Sequence, residues 1–283
     1  MQGDQPVERA RAGRVPWTAL AWLVLAGVGT AFLFTVFSGY HGLGSSAPQV
    51  VSPVPVSAEE FAKLPRATTY TNIPAAPQDQ DPFAVTDGLV VHPLTAQVIY
   101  AAPGKPPVAV LPATELEGPT WVPVVQNSPG WDRVLLPNRP NRTTGWIYVD
   151  GTASSQLQTR HSAYVIRVQI GARKMTVDDG GGSLGTWTVA VGAPATPTPT
   201  GRTFLLALLA PPQPTYSPLI LPLGAHSNAF STFGGGPGTV GIHGWPDPSV
   251  FGQAVSNGCV RVPATVLHEL STTPLGTLVL ITQ

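Results

Sequence analysis

The fold is organised around residues 241–263, which read GIHGWPDPSVFGQAVSNGCVRVP. This stretch holds Cys259, the only cysteine of the chain, and His243, sixteen positions before it. A thiol attacks a carbonyl as thiolate, and an imidazole within hydrogen-bond reach can take its proton and later protonate a leaving amine. We therefore expect Cys259 to be a nucleophile and His243 its base. A buried, inert thiol is the alternative.

The residues just before Cys259 predict how it is presented. Gly258 lets the backbone turn, so that its amide and that of Cys259 point at a developing oxyanion. Ser256 and Asn257 either add side-chain donors or form an ordinary turn. A helix is predicted over 263–270, and its N-terminus, just after the strand that carries Cys259, would favour thiolate.

Two charged residues flank the predicted pair. Arg261 projects to the same side of its strand as Cys259, where it either holds a thiolate or substrate carboxylate, or is a solvated or capping charge. Asp247 either orients His243 as in a triad or belongs to the turn that its Pro-Asp-Pro context indicates.

Composition predicts a mainly β protein. Proline and glycine number 32 and 30, and only 11% of residues are charged, which favours short strands joined by turns. The formal net charge is zero, which gives no basis for a nucleic-acid partner. One cysteine and six dispersed histidines form no metal-ligand spacing, so we expect neither a metal nor another cofactor.

The N-terminal region predicts a membrane location. Residues 17–37 carry no charge, match the length that crosses a bilayer, and follow Arg9, Arg11 and Arg14. We expect a single-pass anchor, with residues 1–16 cytoplasmic and the rest on the outer side. A cleaved signal peptide is the alternative.

Three regions follow the anchor. Residues 38–85 carry seven prolines and are predicted to be a linker with a short helix near 57–64. Short apolar runs at about ten-residue intervals predict a small β-barrel over 86–150, in which Trp121, Trp131 and Trp146 either meet a ligand or fill the core. Residues 151–162 form a polar connector to a second β-rich domain, 163–283.

Two resemblances carry these predictions further. The phrases VIYAAPGKPPVA, GWDRVLLPNRPN and TGWI resemble the bacterial Src-homology-3-like barrel. The signature G-I-H-G, a spacer and S-N-G-C-V-R resembles the L,D-transpeptidases of bacterial cell walls. The phrases TPTPTGRTF and LGAHSNAF…FGGGPGTVGIHG are similar to actinobacterial members of the same family.

The second resemblance implies a cysteine transpeptidase of peptidoglycan. Cys259 would attack the third residue of a tetrapeptide stem, expel D-alanine and form a thioester, from which an acceptor amine makes a 3-3 cross-link. The other ring nitrogen of His243 would be held by the Gly244 carbonyl. Carbapenems would acylate the thiol, and stem peptides would be the partners of a monomeric enzyme.

The same resemblance leaves several points open. Many members have a second histidine where this chain has Asn257, and His226 either lines the donor groove or is a polar surface residue. The alternatives are an L,D-carboxypeptidase, a relative that attaches proteins to the wall, and a non-catalytic wall-binding protein.

Overall fold

A computed structural model describes residues 49–213, 216–233 and 236–283. The predicted cytoplasmic segment 1–16, the anchor 17–37 and the first part of the linker lie outside these ranges. Within them, no helix has the length and apolar character needed to cross a membrane. Val50–Gln283 form one compact unit, which is mainly β as predicted.

Where a small barrel is predicted, the structure has an antiparallel sheet of seven strands, with β3 and β9 at its two ends. They lie in the order β3-β2-β8-β7-β6-β1-β9. The last strand falls in the predicted polar connector, where it pairs with β1, so that part of the connector prediction is wrong. The strands are β1 Leu89–Pro93, β2 Gln97–Tyr100, β3 Pro107–Leu111, β6 Val122–Ser128, β7 Trp131–Leu135, β8 Thr144–Tyr148 and β9 Leu157–His161, and the hairpin β4 Thr114–Glu115 with β5 Gly118–Pro119 lies beside them.

The C-terminal region contains three further sheets. A five-stranded sheet has the order β12-β11-β10-β19-β14, a three-stranded sheet has the order β15-β16-β18, and β13 pairs with β17. The strands are β10 Val165–Gln169, β11 Lys174–Asp178, β12 Ser183–Thr188, β13 Val191–Gly192, β14 Gly201–Phe204, β15 Ile220–His226, β16 Thr239–Gly244, β17 Ala254–Ser256, β18 Val260–Val262 and β19 Leu278–Thr282. The predicted helix is α2, Ala264–Leu270, which begins after Pro263 and buries Val266, Leu267 and Leu270.

The prediction of a linker is wrong for residues 50–85. The short helix α1, Ala58–Lys63, is present, and Ser57 forms a capping box with Glu60. Beyond it, Ala67 and Ile73 are buried in the core beneath the seven-stranded sheet. This segment therefore belongs to the folded unit, because its scattered apolar residues find partners far along the chain.

The two β regions share a hydrophobic core. Phe204, Leu206 and Leu278 of the C-terminal region pack in one cluster with Val91 and Leu111 of the seven-stranded sheet. A second cluster lies within the C-terminal region, between its sheets and α2. The three-stranded sheet packs on that second cluster and carries the candidate site.

Candidate active site

Strands β16 and β18 bring the histidine and the cysteine together. They pair in parallel, with Ile242 opposite Val260 and His243 opposite Arg261. Side chains alternate along a strand, so Ile242 and Val260 face the core, where they are buried. His243 and Arg261 face the other way, as does Cys259, one residue before the first paired position of β18. All three line one cavity of about 440 Å³.

His243 is held in one tautomer. Its Nδ1 lies 2.7 Å from the carbonyl oxygen of Gly244, which can only accept, so Nδ1 carries the proton. Nε2 of the neutral ring is then free to take a proton. The Gly244 amide in turn donates to Ser217 Oγ at 2.8 Å, and that hydroxyl donates to Leu219 O at 2.6 Å. Ser217 thus positions the peptide that orients the His243 ring, a role that no motif in the sequence indicates.

Burial favours the neutral form of both side chains. Burial raises the pKa of the Cys259 thiol, against the opposing effects of a hydrogen bond from the Gly241 amide and the charge of Arg261. Burial lowers the pKa of His243, the bond to Gly244 opposes this, and Arg261 lowers it further. The expectation that the N-terminus of α2 stabilises the thiolate is wrong, because β18 separates Cys259 from α2. A neutral thiol is a poor nucleophile, so an attack by Cys259 would require a base, and His243 lines the same cavity.

The turn before Cys259 differs from the prediction. Gly258 N–H donates to Ser256 Oγ at 3.1 Å, and the same hydroxyl donates to Cys259 O at 2.5 Å. Ser256 therefore closes the turn, and the Gly258 amide is not the free oxyanion donor that the sequence suggests. Gly258 has a φ of +117°, which favours glycine over other residues. Asn257 is exposed and lines the cavity.

An aromatic cluster surrounds the base. The Arg261 guanidinium lies over the ring of Trp245, 3.5 Å from its centroid, and Tyr216 meets His243 edge to face at 4.9 Å. Trp245 and Tyr216 also approach each other, at 5.7 Å. Arg261 Nε is buried and has no hydrogen-bond partner in the described part of the chain. The cavity thus offers one fixed positive charge beside the thiol.

Comparison with known proteins identifies the C-terminal region. Residues 163–281 match the model of the YkuD family, the L,D-transpeptidase catalytic domain. This region is an L,D-transpeptidase domain. Protein YkuD of Bacillus subtilis (strain 168) is 34% identical over 121 residues, which span 42% of this chain and 66% of that protein. The match confirms the resemblance to the L,D-transpeptidases that the sequence shows.

Solved structures include further similar proteins. An L,D-transpeptidase from Mycobacterium smegmatis is 16% identical with a TM-score of 0.36, over 57% of this chain and 99% of that one. L,D-transpeptidase 3 from Mycobacterium tuberculosis is 15% identical with a TM-score of 0.36, over 50% of this chain and 75% of that one. At these TM-scores the likenesses add nothing to the family match.

Two predicted residues of the L,D-transpeptidase domain lie outside its cavity. His226 is fully buried, and its Nε2 lies 2.8 Å from Thr69 O and 2.9 Å from Thr69 Oγ1. Burial lowers the pKa of His226 to about 4. It therefore joins the domain to the N-terminal segment and does not line a groove. Asp247 caps a turn by accepting from Ser249 N at 2.9 Å, as the turn interpretation predicts.

Part of the cavity wall comes from outside the L,D-transpeptidase domain. Thr69, Tyr70 and Leu116 line it together with residues of the domain. Thr69 also bonds Thr239 through the two hydroxyls at 2.5 Å, and its amide donates to the buried carboxylate of Glu115. No sequence signal points to this wall, because residues 68–71 lie in the stretch predicted to be a linker.

No group of three or more histidine, cysteine or acidic side chains within the described ranges is arranged to hold a metal ion.

Proposed function

We propose that this protein is a peptidoglycan L,D-transpeptidase that forms 3-3 cross-links through a thioester on Cys259. The observation that carries the proposal is that a cysteine and a histidine from adjacent parallel strands line one cavity, with the histidine's Nδ1 hydrogen-bonded to the Gly244 carbonyl. The family match supplies the reaction class.

The first half-reaction is acylation. As Cys259 Sγ attacks the carbonyl carbon of the stem's third residue, His243 Nε2 takes the thiol proton, and a tetrahedral intermediate forms. The bond from that carbon to the nitrogen of the terminal D-alanine then breaks. His243 returns the proton to the leaving amine, so D-alanine departs and a thioester remains.

The second half-reaction transfers the acyl group. A side-chain amine of another stem attacks the thioester, His243 takes a proton from that amine, and the carbon–sulfur bond breaks to release Cys259, which is reprotonated by His243. Arg261 supplies the positive charge for the donor's carboxylate, since it is the one full cation that lines the cavity in the described part of the chain. Exclusion of water from this partly enclosed cavity would favour the amine over hydrolysis.

The proposed setting follows from the N-terminal sequence. Residues 17–37 would anchor the chain in the cell membrane, with the folded unit on the outer side where peptidoglycan lies. The enzyme would act there as a monomer.

Intact mass spectrometry tests the proposal. Val50–Gln283 is incubated with a carbapenem and, separately, with a tetrapeptide stem. We expect a covalent adduct with both reagents, and none for Cys259→Ala. With stem and an acceptor amine, the cross-linked dimer should form with release of D-alanine. A folded chain that gives no adduct with either reagent would support a non-catalytic wall-binding role, and release of D-alanine with only the shortened tripeptide would indicate a carboxypeptidase.

The role of His243 has a separate test. His243→Ala should slow acylation strongly near pH 7 and much less at high pH, where the thiol ionises unaided. His268→Ala is the matched control, because His268 is exposed on α2. A loss that is the same at every pH would assign His243 a structural role instead.

A further inference from the structure

We propose that the seven-stranded sheet carries a binding groove for polyproline-type peptide segments, and that the chain's own residues 50–56, VVSPVPV, occupy it. The aromatic groove is formed by Tyr100, Trp131, Trp146 and Tyr148. This site is separate from the catalytic cavity and goes beyond the proposed enzymatic function.

The first argument is how the groove contacts the segment's backbone. Trp131 Nε1–H donates to Val51 O at 2.7 Å, and the Tyr100 hydroxyl donates to Val54 O at 3.0 Å. A polyproline II helix has three residues per turn and no internal hydrogen bonds. Carbonyls three residues apart therefore point to the same side, about 9 Å apart along the axis. The two aromatic donors bind such a pair.

The second argument is the sequence of the segment. Pro53 and Pro55 fix their own φ near the polyproline value, and each restricts the residue before it to extended conformations. The two restricted residues are Ser52 and Val54. The segment is pre-organised for the groove, which lowers the entropy cost of binding it.

The third argument is the shape of the groove. Trp131 packs edge to face against Tyr100 and Tyr148, each at 5.2 Å between centroids. Two glycines with positive φ lie at its rim. A Cβ at Gly104 would stand 2.9 Å from a methyl of Val51, and a Cβ at Gly130 would stand 2.5 Å from a methyl of Val50. Gly104 and Gly130 thus have no side chain at the points where the segment approaches the sheet region most closely.

The fourth argument is that the segment lies on the fold as a ligand does. Val51 is 48% exposed, and Ser52 and Pro55 are also exposed. Within the described residues, 50–56 join no strand and form no backbone–backbone hydrogen bond. By contrast, Ala67 and Ile73 further along are fully buried. Departure of residues 50–56 would therefore uncover the aromatic cluster around Trp131, while the separate core cluster that holds Ala67 and Ile73 stays closed.

Capture of the segment in cis has a measurable consequence. A ligand tethered by a short chain has an effective concentration in the millimolar range, so a free peptide competes poorly with it. The groove must first be emptied to reveal binding in trans.

The experiment uses the full chain with residues 50–56 replaced by GSGSGSG, which keeps the chain length. A fluorescent peptide of residues 49–57 should bind this vacated chain saturably. Its affinity for the wild-type chain should be at least tenfold lower. Tyr100→Phe in the vacated chain should weaken binding about fivefold, for one hydrogen bond of about 1 kcal/mol. A peptide with glycine at both proline positions is the matched control. Equal binding of both peptides, or none by a vacated chain with wild-type circular dichroism, would overturn the proposal.

A measurement on the wild-type full chain avoids any dependence on the replacement. The Trp131 indole proton is covered by Val51, so it should exchange with solvent through opening of the segment alone. Its exchange should be at least tenfold faster than that of the most protected amides of β7 and β8, read by NMR. Equal protection would mean that the segment opens only on global unfolding, which would overturn a separable binding site.

Discussion

Replacing Asp79 with asparagine should lower the free energy of unfolding by about 3–5 kcal/mol, because it leaves the Arg202 guanidinium buried without a counter-charge. Arg202 Nε and Nη2 donate to the two carboxylate oxygens at 2.6 and 2.7 Å, and the side chains are 4% and 0% exposed. Asparagine keeps one acceptor oxygen and the bond from Arg202 Nη1 to Ala84 O at 3.3 Å would remain, but its NH2 group would face the second guanidinium N–H and the positive charge would be unpaired. The pair joins the N-terminal segment to β14 of the L,D-transpeptidase domain.

Urea and thermal unfolding of Val50–Gln283 measure the effect. For a unit of this size, the loss corresponds to a fall in Tm of roughly 6–20 °C. The double variant Asp79→Asn/Arg202→Met should recover much of it, since an apolar replacement of a buried pair is often close to neutral. Asp178→Asn is the matched control, because its bridge to Arg167 is partly exposed and should contribute less than about 1 kcal/mol. A loss below 1 kcal/mol for Asp79→Asn, or a double variant no more stable than the single one, would refute the reasoning.

Three further predictions concern the junction and the turn. Burial raises the pKa of Glu115 to about 7, so its ionisation opposes folding: stability is intact below the unfolded pKa near 4.5 and falls as pH rises through 7. Glu115→Gln should remove this loss of roughly 3 kcal/mol, read from urea midpoints across pH. Burial of His226 gives the opposite dependence, because its contribution to stability is lost as pH falls from 6.5 through 4. Glu115→Gln should therefore become more stable as pH rises over that range; a variant profile parallel to wild type would contradict the assignment to Glu115, and a flat variant profile would contradict the assignment to His226. Gly258→Ala should slow carbapenem acylation at least tenfold, because its Cβ would meet Val240 at 3.2 Å and shift the turn, and an unchanged rate would exclude that strain. Tyr70→Ala should raise KM for stem peptide severalfold with little change in Tm, since Tyr70 lines the cavity but is 67% exposed; an unchanged KM would remove it from the substrate wall.

The parts of the fold that follow from sequence are those with local periodicity. Ile242 and Val260 alternate with His243 and Cys259, so the alternation itself assigns one face to the core and the other to the chemistry. The apolar face of α2 is equally local. The pairing of β16 with β18, by contrast, is seen only in the structure.

The parts that do not follow depend on contacts between distant residues. Thr69 bonds His226 across 157 positions, and Asp79 bonds Arg202 across 123, and neither partner belongs to a periodic pattern. A proline-rich stretch without periodicity is therefore interpreted as a linker, although its isolated apolar side chains are buried. The prediction for the turn before Cys259 is wrong for a different reason. The Ser256 hydroxyl accepts the hydrogen bond of the amide that an oxyanion hole would use.

The hydrophobic core that the two β regions share limits how the C-terminal region could be transferred to another protein. The family match begins at residue 163, but a chain cut there would place Phe204 and Leu206 in water and strand the charge of Arg202. It would also remove one side of the candidate active-site cavity. The segment matched by the family is therefore not a module that can be transferred alone. A hybrid protein that contains it must also include residues 50–161, or must supply new residues that cover the exposed core and complete the cavity wall.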